Sequence, residues 1–136
     1  MAFRSPFPPV EIPHIALHDF VLGGSAARGD APALVDGATG RALSHAQLVD
    51  QVRRLAAGLS RGGIRPDDVV AIWSPNMPEY AVVFHAVSRL GAILTTVNPA
   101  YTVEELAYQL KDAGARLIVT TAALLEKARE AIQSAG

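Results

Sequence analysis

The sequence predicts an α/β fold in which an N-terminal extended arm and a β-hairpin precede three βα units that form part of an open parallel sheet. Three short runs of apolar and β-branched residues recur along the chain, at residues 69–73, 93–97 and 117–120. Each run is uninterrupted rather than alternating, which is typical of strands covered on both faces. A segment with helical periodicity follows each run, so the units predict right-handed βαβ crossovers.

The first 32 residues contain five of the nine prolines. Proline fixes φ and removes a backbone donor, so residues 1–32 are expected to form an extended arm on the surface. Residues 33–136 are expected to form an α/β subdomain. Three parallel strands leave sheet edges open, which predicts that this subdomain is an incomplete part of a larger domain.

Two short strands at residues 33–36 and 41–43, joined by a turn bounded by glycines, predict the β-hairpin. Ser44 follows directly and precedes Gln47 by three residues, a spacing that predicts a capping box at the start of a helix. Apolar residues then recur at helical spacing until two glycines at 62–63 end the pattern.

Three further helices are predicted after the strands. The second begins near Asn76 and is apolar over most of its circumference, so it should be deeply buried. The third begins with a capping box formed by Thr102 and Glu105 and closes at Gly114. Small polar residues after each strand are interpreted as helix caps, namely Asn76, Thr102 and Thr121. The fourth helix is expected to turn four residues inward: Leu124, Leu125, Ala128 and Ile132.

Composition excludes several classes of function. The chain of 136 residues has 12 basic and 13 acidic side chains, a formal charge of −1 and no cysteine. Nucleic-acid binding is therefore not expected, and neither a disulfide framework nor a thiolate metal site is available. The N-terminal residues lack a continuous apolar signal region, and no apolar stretch reaches the roughly 20 residues of a membrane span. The sequence predicts a cytoplasmic protein without a membrane span.

No motif with a defined chemistry occurs in the chain. The glycine-rich dinucleotide and P-loop patterns are absent, as is the nucleophile elbow of hydrolases. Ligands of open parallel sheets bind at the carboxyl ends of the strands, where this chain has small polar residues and no ready acid or base. No catalytic or cofactor-binding residue is therefore predicted, although the alternative that Asn98 or Tyr101 lines a cleft stays open.

The four histidines do not predict a metal site. His14 and His18 are four residues apart and could share a helical face, but Pro13 and the lack of a third ligand argue against metal binding. His45 and His85 lie in predicted helices without a catalytic partner, so a structural role is favoured for both.

A set of short segments in the first part of the chain, Phe3-Arg4-Ser5, Ile12-Pro13, Leu17-His18-Asp19, Asp36-Gly37 and Thr39-Gly40, resembles the start of 4-coumarate:CoA ligases. The later segments Asp68 to Ile72, Ser74-Pro75-Asn76, Arg89 to Ala92, Asn98-Pro99-Ala100-Tyr101-Thr102 and Glu105-Leu106 resemble the amino-terminal part of the adenylate-forming (AMP-binding) acyl-CoA synthetases in general. The segment at residues 98–102, between a strand and a helix, is the most specific.

The resemblance implies a ligase that uses ATP and magnesium to form an acyl-adenylate and then transfers the acyl group to coenzyme A. The family's phosphate-binding loop, ribose-binding acid and catalytic lysine match nothing in this chain, so the segment alone is expected to be inactive and to bind none of these cofactors. Its implied partners are the remainder of the ligase domain, or another copy, over the open sheet edges, and a small carboxylic acid in the full enzyme. The alternative is a stand-alone, non-catalytic α/β binding or interaction module.

Overall fold

The structure is a computed structural model that describes residues 5–136. Phe3 and Arg4, which belong to the predicted arm and to the resemblance, lie outside the described residues. The elements in chain order are α1 (Leu17–Leu22), β1 (Pro32–Val35), β2 (Ala42–Ser44), α2 (His45–Arg61), β3 (Val69–Trp73), α3 (Pro78–Arg89), β4 (Ile93–Val97), α4 (Val103–Asp112), β5 (Ala115–Thr120) and α5 (Leu125–Ala135), with 3-10 turns at Ser25–Ala27 and Ala122–Leu124.

The three predicted strands form one parallel sheet with the order β4-β3-β5. Strand β3 pairs with β4 from Val69 opposite Ile93 to Trp73 opposite Val97. Strand β5 begins two residues earlier than predicted, because Ala115 already lies opposite Val69. Helices α2 and α3 cover one face of the sheet and α4 and α5 cover the other. The α/β fold class is confirmed.

The central strand β3 forms the middle of the core. Its residues alternate between the two faces, so that Val70 and Ile72 pack toward α3 while Ala71 and Trp73 pack toward α4 and α5. All four are at most 1% exposed. Burial on both faces is the physical reason for the uninterrupted apolar run in the sequence.

The predicted hairpin forms a separate antiparallel sheet of β1 and β2. Its turn is closed by Asp36, whose side chain accepts hydrogen bonds from the main-chain N–H groups of Ala38 at 2.9 Å and Thr39 at 3.2 Å. These two bonds are the main cause of a lowered pKa at Asp36. The hairpin prediction is confirmed.

Both predicted capping boxes are present. The Ser44 hydroxyl accepts from the N–H of Gln47 at 3.2 Å, and the Gln47 side chain accepts from the N–H of Ser44 at 2.9 Å. Thr102 and Glu105 make the same pair of bonds at 3.2 and 2.8 Å. Helix α4 is followed by Gly114, whose φ of 62° ends the helical path.

The prediction of an extended arm over residues 1–32 is wrong for its second half. Residues Leu17–Leu22 form helix α1, and Ser25–Ala27 form a 3-10 turn. No proline lies between Pro13 and Pro32, so the backbone is free to adopt helical φ angles there, and His18 of α1 is buried.

Two predicted caps are also corrected. Met77, not Asn76, is the N-cap of α3, and it makes no side-chain capping bond because a methionine side chain has no oxygen to accept one. Pro78 occupies the first turn, where its missing N–H needs no partner. Thr121 precedes the 3-10 turn at Ala122–Leu124 and does not cap it.

The predicted inward face of α5 is correct for Leu124 and Ala128, which pack into the core, and wrong for Leu125 and Ile132. Ala128 and Ala131 are buried, while Leu125 and Ile132 are 41% and 50% exposed. The small alanine side chains allow α5 to approach α4 closely, which places the larger neighbours outside the contact. By contrast, α3 is buried over most of its surface as predicted.

Candidate functional site

A cleft opens at the carboxyl edge of the sheet, between β3 and β5 and beside the first turns of α3. Its volume is about 340 Å³, and its walls are mainly apolar, formed by Ile72, Met77, Val83 and Val119. The carboxyl ends of parallel strands are where open α/β sheets bind ligands, and this volume lies within the range of small-molecule pockets. The cleft is therefore the candidate functional site.

Hydrogen bonds hold the three strand ends around the cleft in fixed positions. The Thr120 hydroxyl donates to the main-chain carbonyl of Trp73 at 2.7 Å. The indole Nε1 of Trp73 in turn donates to the main-chain carbonyl of Asn98 at 2.9 Å. The buried Ser74 hydroxyl donates to the carbonyl of Pro75 at 2.8 Å. Strands β4, β3 and β5 are thus linked side by side at the edge that carries the cleft.

Glu79 is the single charged residue among those that line the cleft. Both of its carboxylate oxygens accept hydrogen bonds from Arg41, which directly precedes β2, and the Nη2–Oε2 bond measures 2.7 Å. The Arg41 guanidinium is the main reason that the pKa of Glu79 lies below its ordinary value. Glu79 therefore stays ionised near neutral pH, and its charge is balanced by a guanidinium from the hairpin.

The polar groups of the cleft are otherwise hydroxyls, from Ser74, Tyr80, Thr120 and Thr121. Binding the phosphates of a nucleoside triphosphate needs cationic side chains or a loop of glycine amides. The residues that line this cleft include no lysine, arginine or glycine. The cleft does not fit the phosphates of ATP. It suits an uncharged, largely apolar group.

Of the two residues that the sequence left as possible cleft residues, Tyr101 lines a groove and Asn98 does not. The Asn98 side chain turns back to accept from the N–H of Ala100 at 3.0 Å, which is a local turn contact. Tyr101 lines a separate groove of about 620 Å³ along α4 and β4, together with Tyr108 and the acidic Glu104, Glu105 and Asp112. Main-chain hydrogen bonding at the helix start is the main cause of a lowered pKa at Glu104.

The structure separates the histidines that could have shared a metal. His14 precedes α1 while His18 lies within it, so the two do not share a helical face. The Nδ1 atom of His45 lies 3.2 Å from the Ser25 hydroxyl, a structural contact. Within residues 5–136, no group of three or more histidine, aspartate or glutamate side chains is arranged to hold a metal ion.

Sequence reasoning missed the contribution of α3 to the site. Met77, Glu79 and Tyr80 line the cleft because α3 starts directly after the carboxyl end of β3. Their position in the connection between a strand and a helix could have predicted that these residues line the site. The pairing of Glu79 with Arg41, 38 positions away, had no signal in the sequence.

The fold and the edge cleft define an α/β layered domain of the kind that binds a ligand at the ends of its strands. Residues 24–135 match the family of AMP-binding enzymes, and the chain belongs to this family. The predicted resemblance is therefore confirmed.

Among curated proteins, the chain is 45% identical over 130 residues to 4-coumarate–CoA ligase 4 of Arabidopsis thaliana, a match that covers 92% of this chain and 23% of that protein. It is also 45% identical over 126 residues to 4-coumarate–CoA ligase 5 of Oryza sativa subsp. japonica, again covering 92% of this chain and 23% of the relative. The chain thus spans about a quarter of the length of these relatives.

Solved structures of CoA ligases share the fold. A long-chain-fatty-acid-CoA ligase of Archaeoglobus fulgidus superposes with a TM-score of 0.86 at 24% identity, over 97% of this chain and 28% of that one. A benzoate CoA ligase of Burkholderia xenovorans LB400 superposes with a TM-score of 0.83 at 22% identity, over 90% and 24% of the two chains. None of the described helices is long and apolar enough to cross a bilayer.

Proposed function

We propose that the chain is the amino-terminal segment of an ATP-dependent carboxylate:CoA ligase that acts on 4-coumarate or a related aryl or fatty acid. The observation that carries the proposal is the 45% identity to a 4-coumarate–CoA ligase over 92% of the chain. In such a reaction a carboxylate oxygen attacks the α-phosphorus of ATP and displaces pyrophosphate. The thiol of coenzyme A then attacks the acyl carbon and displaces AMP.

Within that enzyme we assign this segment a scaffold role on the acyl side of the active site. The apolar walls of the edge cleft and its paired carboxylate support this role, because they suit the uncharged part of an acid and not its phosphate-bearing partner. The open edges of β4 and β5 would be covered by the remainder of the ligase domain. The cytoplasm as the place of action stays a prediction of the sequence.

We further infer that this segment alone is inactive. Adenylyl transfer from ATP needs cationic groups or metal ions to balance the charge of the transition state, and the cleft offers a carboxylate that is already paired with Arg41. ATP, magnesium and coenzyme A would be bound by residues of the whole enzyme, where magnesium balances the phosphate charge.

Two assays test the proposal. The purified chain is incubated with ATP, magnesium, 4-coumarate and coenzyme A, and we expect no pyrophosphate release. In a chimera, this chain replaces the matching quarter of the Arabidopsis ligase, and we expect formation of 4-coumaroyl-CoA. A Trp73→Ala chimera is the matched control. Because it lacks a fully buried core side chain, we expect it to form no 4-coumaroyl-CoA.

Pyrophosphate release by the chain alone would contradict the inferred inactivity while leaving the family role intact. A chimera that folds, as judged by circular dichroism, and yet forms neither adenylate nor thioester would contradict the ligase role. In that case the stand-alone binding module becomes the better explanation, and a monomeric, cooperatively unfolding chain would support it.

A further inference from the structure

Strand β5 lies at the edge of the sheet but has the composition of an interior strand. It pairs with β3 on one side, and no strand within residues 5–136 pairs with it on the other. It is apolar on both faces, since Leu117 and Val119 pack toward α3 while Ile118 packs toward α4 and α5. Its single charged residue, Arg116, lies near the amino end and pairs with Asp68. Natural edge strands are usually shielded by charges or prolines, and the rest of β5 has neither.

The opposite edge strand, β4, is more polar and is partly closed by its own helix. The Gln109 side chain of α4 donates to the main-chain carbonyl of Thr96 at 3.1 Å and to the Thr95 hydroxyl at 2.9 Å. A main-chain acceptor of this edge strand is therefore already bonded within the chain. Of the two edges, β5 is the one better suited to pair with a further strand.

The connections between the strands determine the direction in which the sheet grows. Helix α3 lies on one face and leads from β3 to β4, whereas α4 lies on the other face and leads in the opposite direction, to β5. Opposite faces and opposite directions give the two crossovers the same hand, as expected for βαβ units, which are almost always right-handed. Helix α5 lies on the same face as α4. A parallel strand that follows α5 with this hand therefore lies beyond β5, at its open edge.

Helix α5 is long enough to make this crossover. It packs against β5, and its 11 residues span about 16 Å where the 6 residues of β5 span about 20 Å, so α5 returns the chain nearly to the amino end of the sheet. The relatives have the chain to continue from there, since this segment covers 23% of the Arabidopsis 4-coumarate–CoA ligase.

We propose that the open edge of β5 binds a further parallel strand, supplied by the part of the ligase chain that follows residue 136, and that this strand completes the edge cleft. The inference rests on the proposed function, because a longer ligase chain has to provide the strand. The carboxyl ends of parallel strands lie at the same edge of a sheet. Residues directly after the added strand therefore lie beside Thr120 and Thr121 and form the outer wall of the cleft that these two residues line.

Hydrogen exchange, resolved to single amides by mass spectrometry, tests the proposal on the chimera in which this chain replaces the matching quarter of the Arabidopsis ligase. Successive N–H groups of a strand point to opposite sides, so an edge strand leaves alternate amides open to water. We expect every amide of β5 to exchange slowly, whereas alternate amides of β4 should exchange faster by roughly tenfold or more. Light scattering on the same sample should show a monomer.

Two matched pairs of proline variants provide a second readout, the thermal midpoint of the chimera. Proline is tolerated in a strand only where the lost N–H faces away from a neighbouring strand. In an interior strand neither of two successive positions meets that condition, so we expect both Ile118→Pro and Val119→Pro to lower the midpoint. Thr95→Pro and Thr96→Pro lie opposite the same two residues of β3, and one of them should leave the midpoint unchanged.

Fast exchange at alternate amides of β5, or an unchanged midpoint in either β5 variant, would overturn the proposal. Slow exchange that is lost on dilution of a dimeric chimera would also overturn it, because the occupant of the edge would then be a second copy. Formation of 4-coumaroyl-CoA is assayed separately. An active chimera with an open β5 edge contradicts the added strand alone, whereas an inactive chimera with a protected β5 contradicts the ligase activity alone.

Discussion

The Thr120 hydroxyl donates a 2.7 Å hydrogen bond to the main-chain carbonyl of Trp73, its register partner on the central strand. This bond joins the edge strand β5 to β3 at the end of the sheet where the cleft opens. A side-chain bond at a strand end takes the place of the backbone ladder, which stops there. The two strands therefore keep their spacing on both sides of the cleft.

Removal of this bond should weaken the sheet edge. Thr120→Val keeps the shape of the side chain and removes the donor, so we expect the free energy of unfolding to fall by about 1 kcal/mol. Urea denaturation measures the change. Thr96→Val, at an exposed position on β4, serves as the control and should stay within about 0.5 kcal/mol of the wild type. Equal losses in both variants would mean that the Thr120 bond contributes nothing specific.

Loss of the Thr102 cap should destabilise α4. In Thr102→Ala the N–H of Glu105 loses its acceptor, which should lower the unfolding free energy by about 1 kcal/mol. Thr121→Ala is a matched control, because the Thr121 side chain makes no capping bond to the turn that follows it. Thermal denaturation of both variants compares them directly, and an unchanged Thr102→Ala would show that α4 begins elsewhere.

Asp68 should contribute to acid sensitivity. The N–H of Arg65, at 2.6 Å, and then the Arg116 guanidinium, at 3.0 Å, lower the pKa of Asp68 from its ordinary value of 3.8. The folded state holds this carboxylate ionised more strongly than the unfolded state does. Its contribution is therefore present above about pH 3.8 and is lost as the pH falls through the lowered folded value.

The variant Asp68→Asn should show a shallower loss of stability than the wild type as the pH is lowered from about 5 to 3, the range in which carboxylates titrate. Denaturant titrations at several pH values provide the measurement. Asp67→Asn is the control, because asparagine tolerates the positive φ of 68° at this position. An acid slope in Asp68→Asn as steep as in the wild type would rule out this source.

The close contact between α4 and α5 predicts intolerance to volume at Ala131. This residue is fully buried, so Ala131→Leu should overfill the contact and cost about 1–3 kcal/mol of stability. Gln133→Leu adds a leucine to the same helix at an exposed position and should have little effect. Differential scanning calorimetry would detect the difference, and a stable Ala131→Leu protein would show that α5 has room to move.

The elements that sequence analysis predicted well are those defined by neighbouring residues. The two capping boxes, at Ser44 and Thr102, need side chains only three positions apart. The central strand from Val69 to Trp73 was predicted because burial on both faces leaves a continuous apolar run. Family membership was likewise visible in contiguous segments such as residues 98–102, and the match over residues 24–135 confirms it.

The features that sequence analysis missed depend on contacts between distant residues. Helix α1 packs on α3 and buries His18, and the pairing of Arg41 with Glu79 joins the hairpin to the edge cleft across 38 positions. Ala128 of α5 is buried as predicted, but the burial of Ala131 in place of Leu125 and Ile132 follows from how closely α5 approaches α4. Local sequence determines turns, caps and strands because their energies come from adjacent residues. The faces that are buried and the charges that meet are determined only once the helices and strands have packed together.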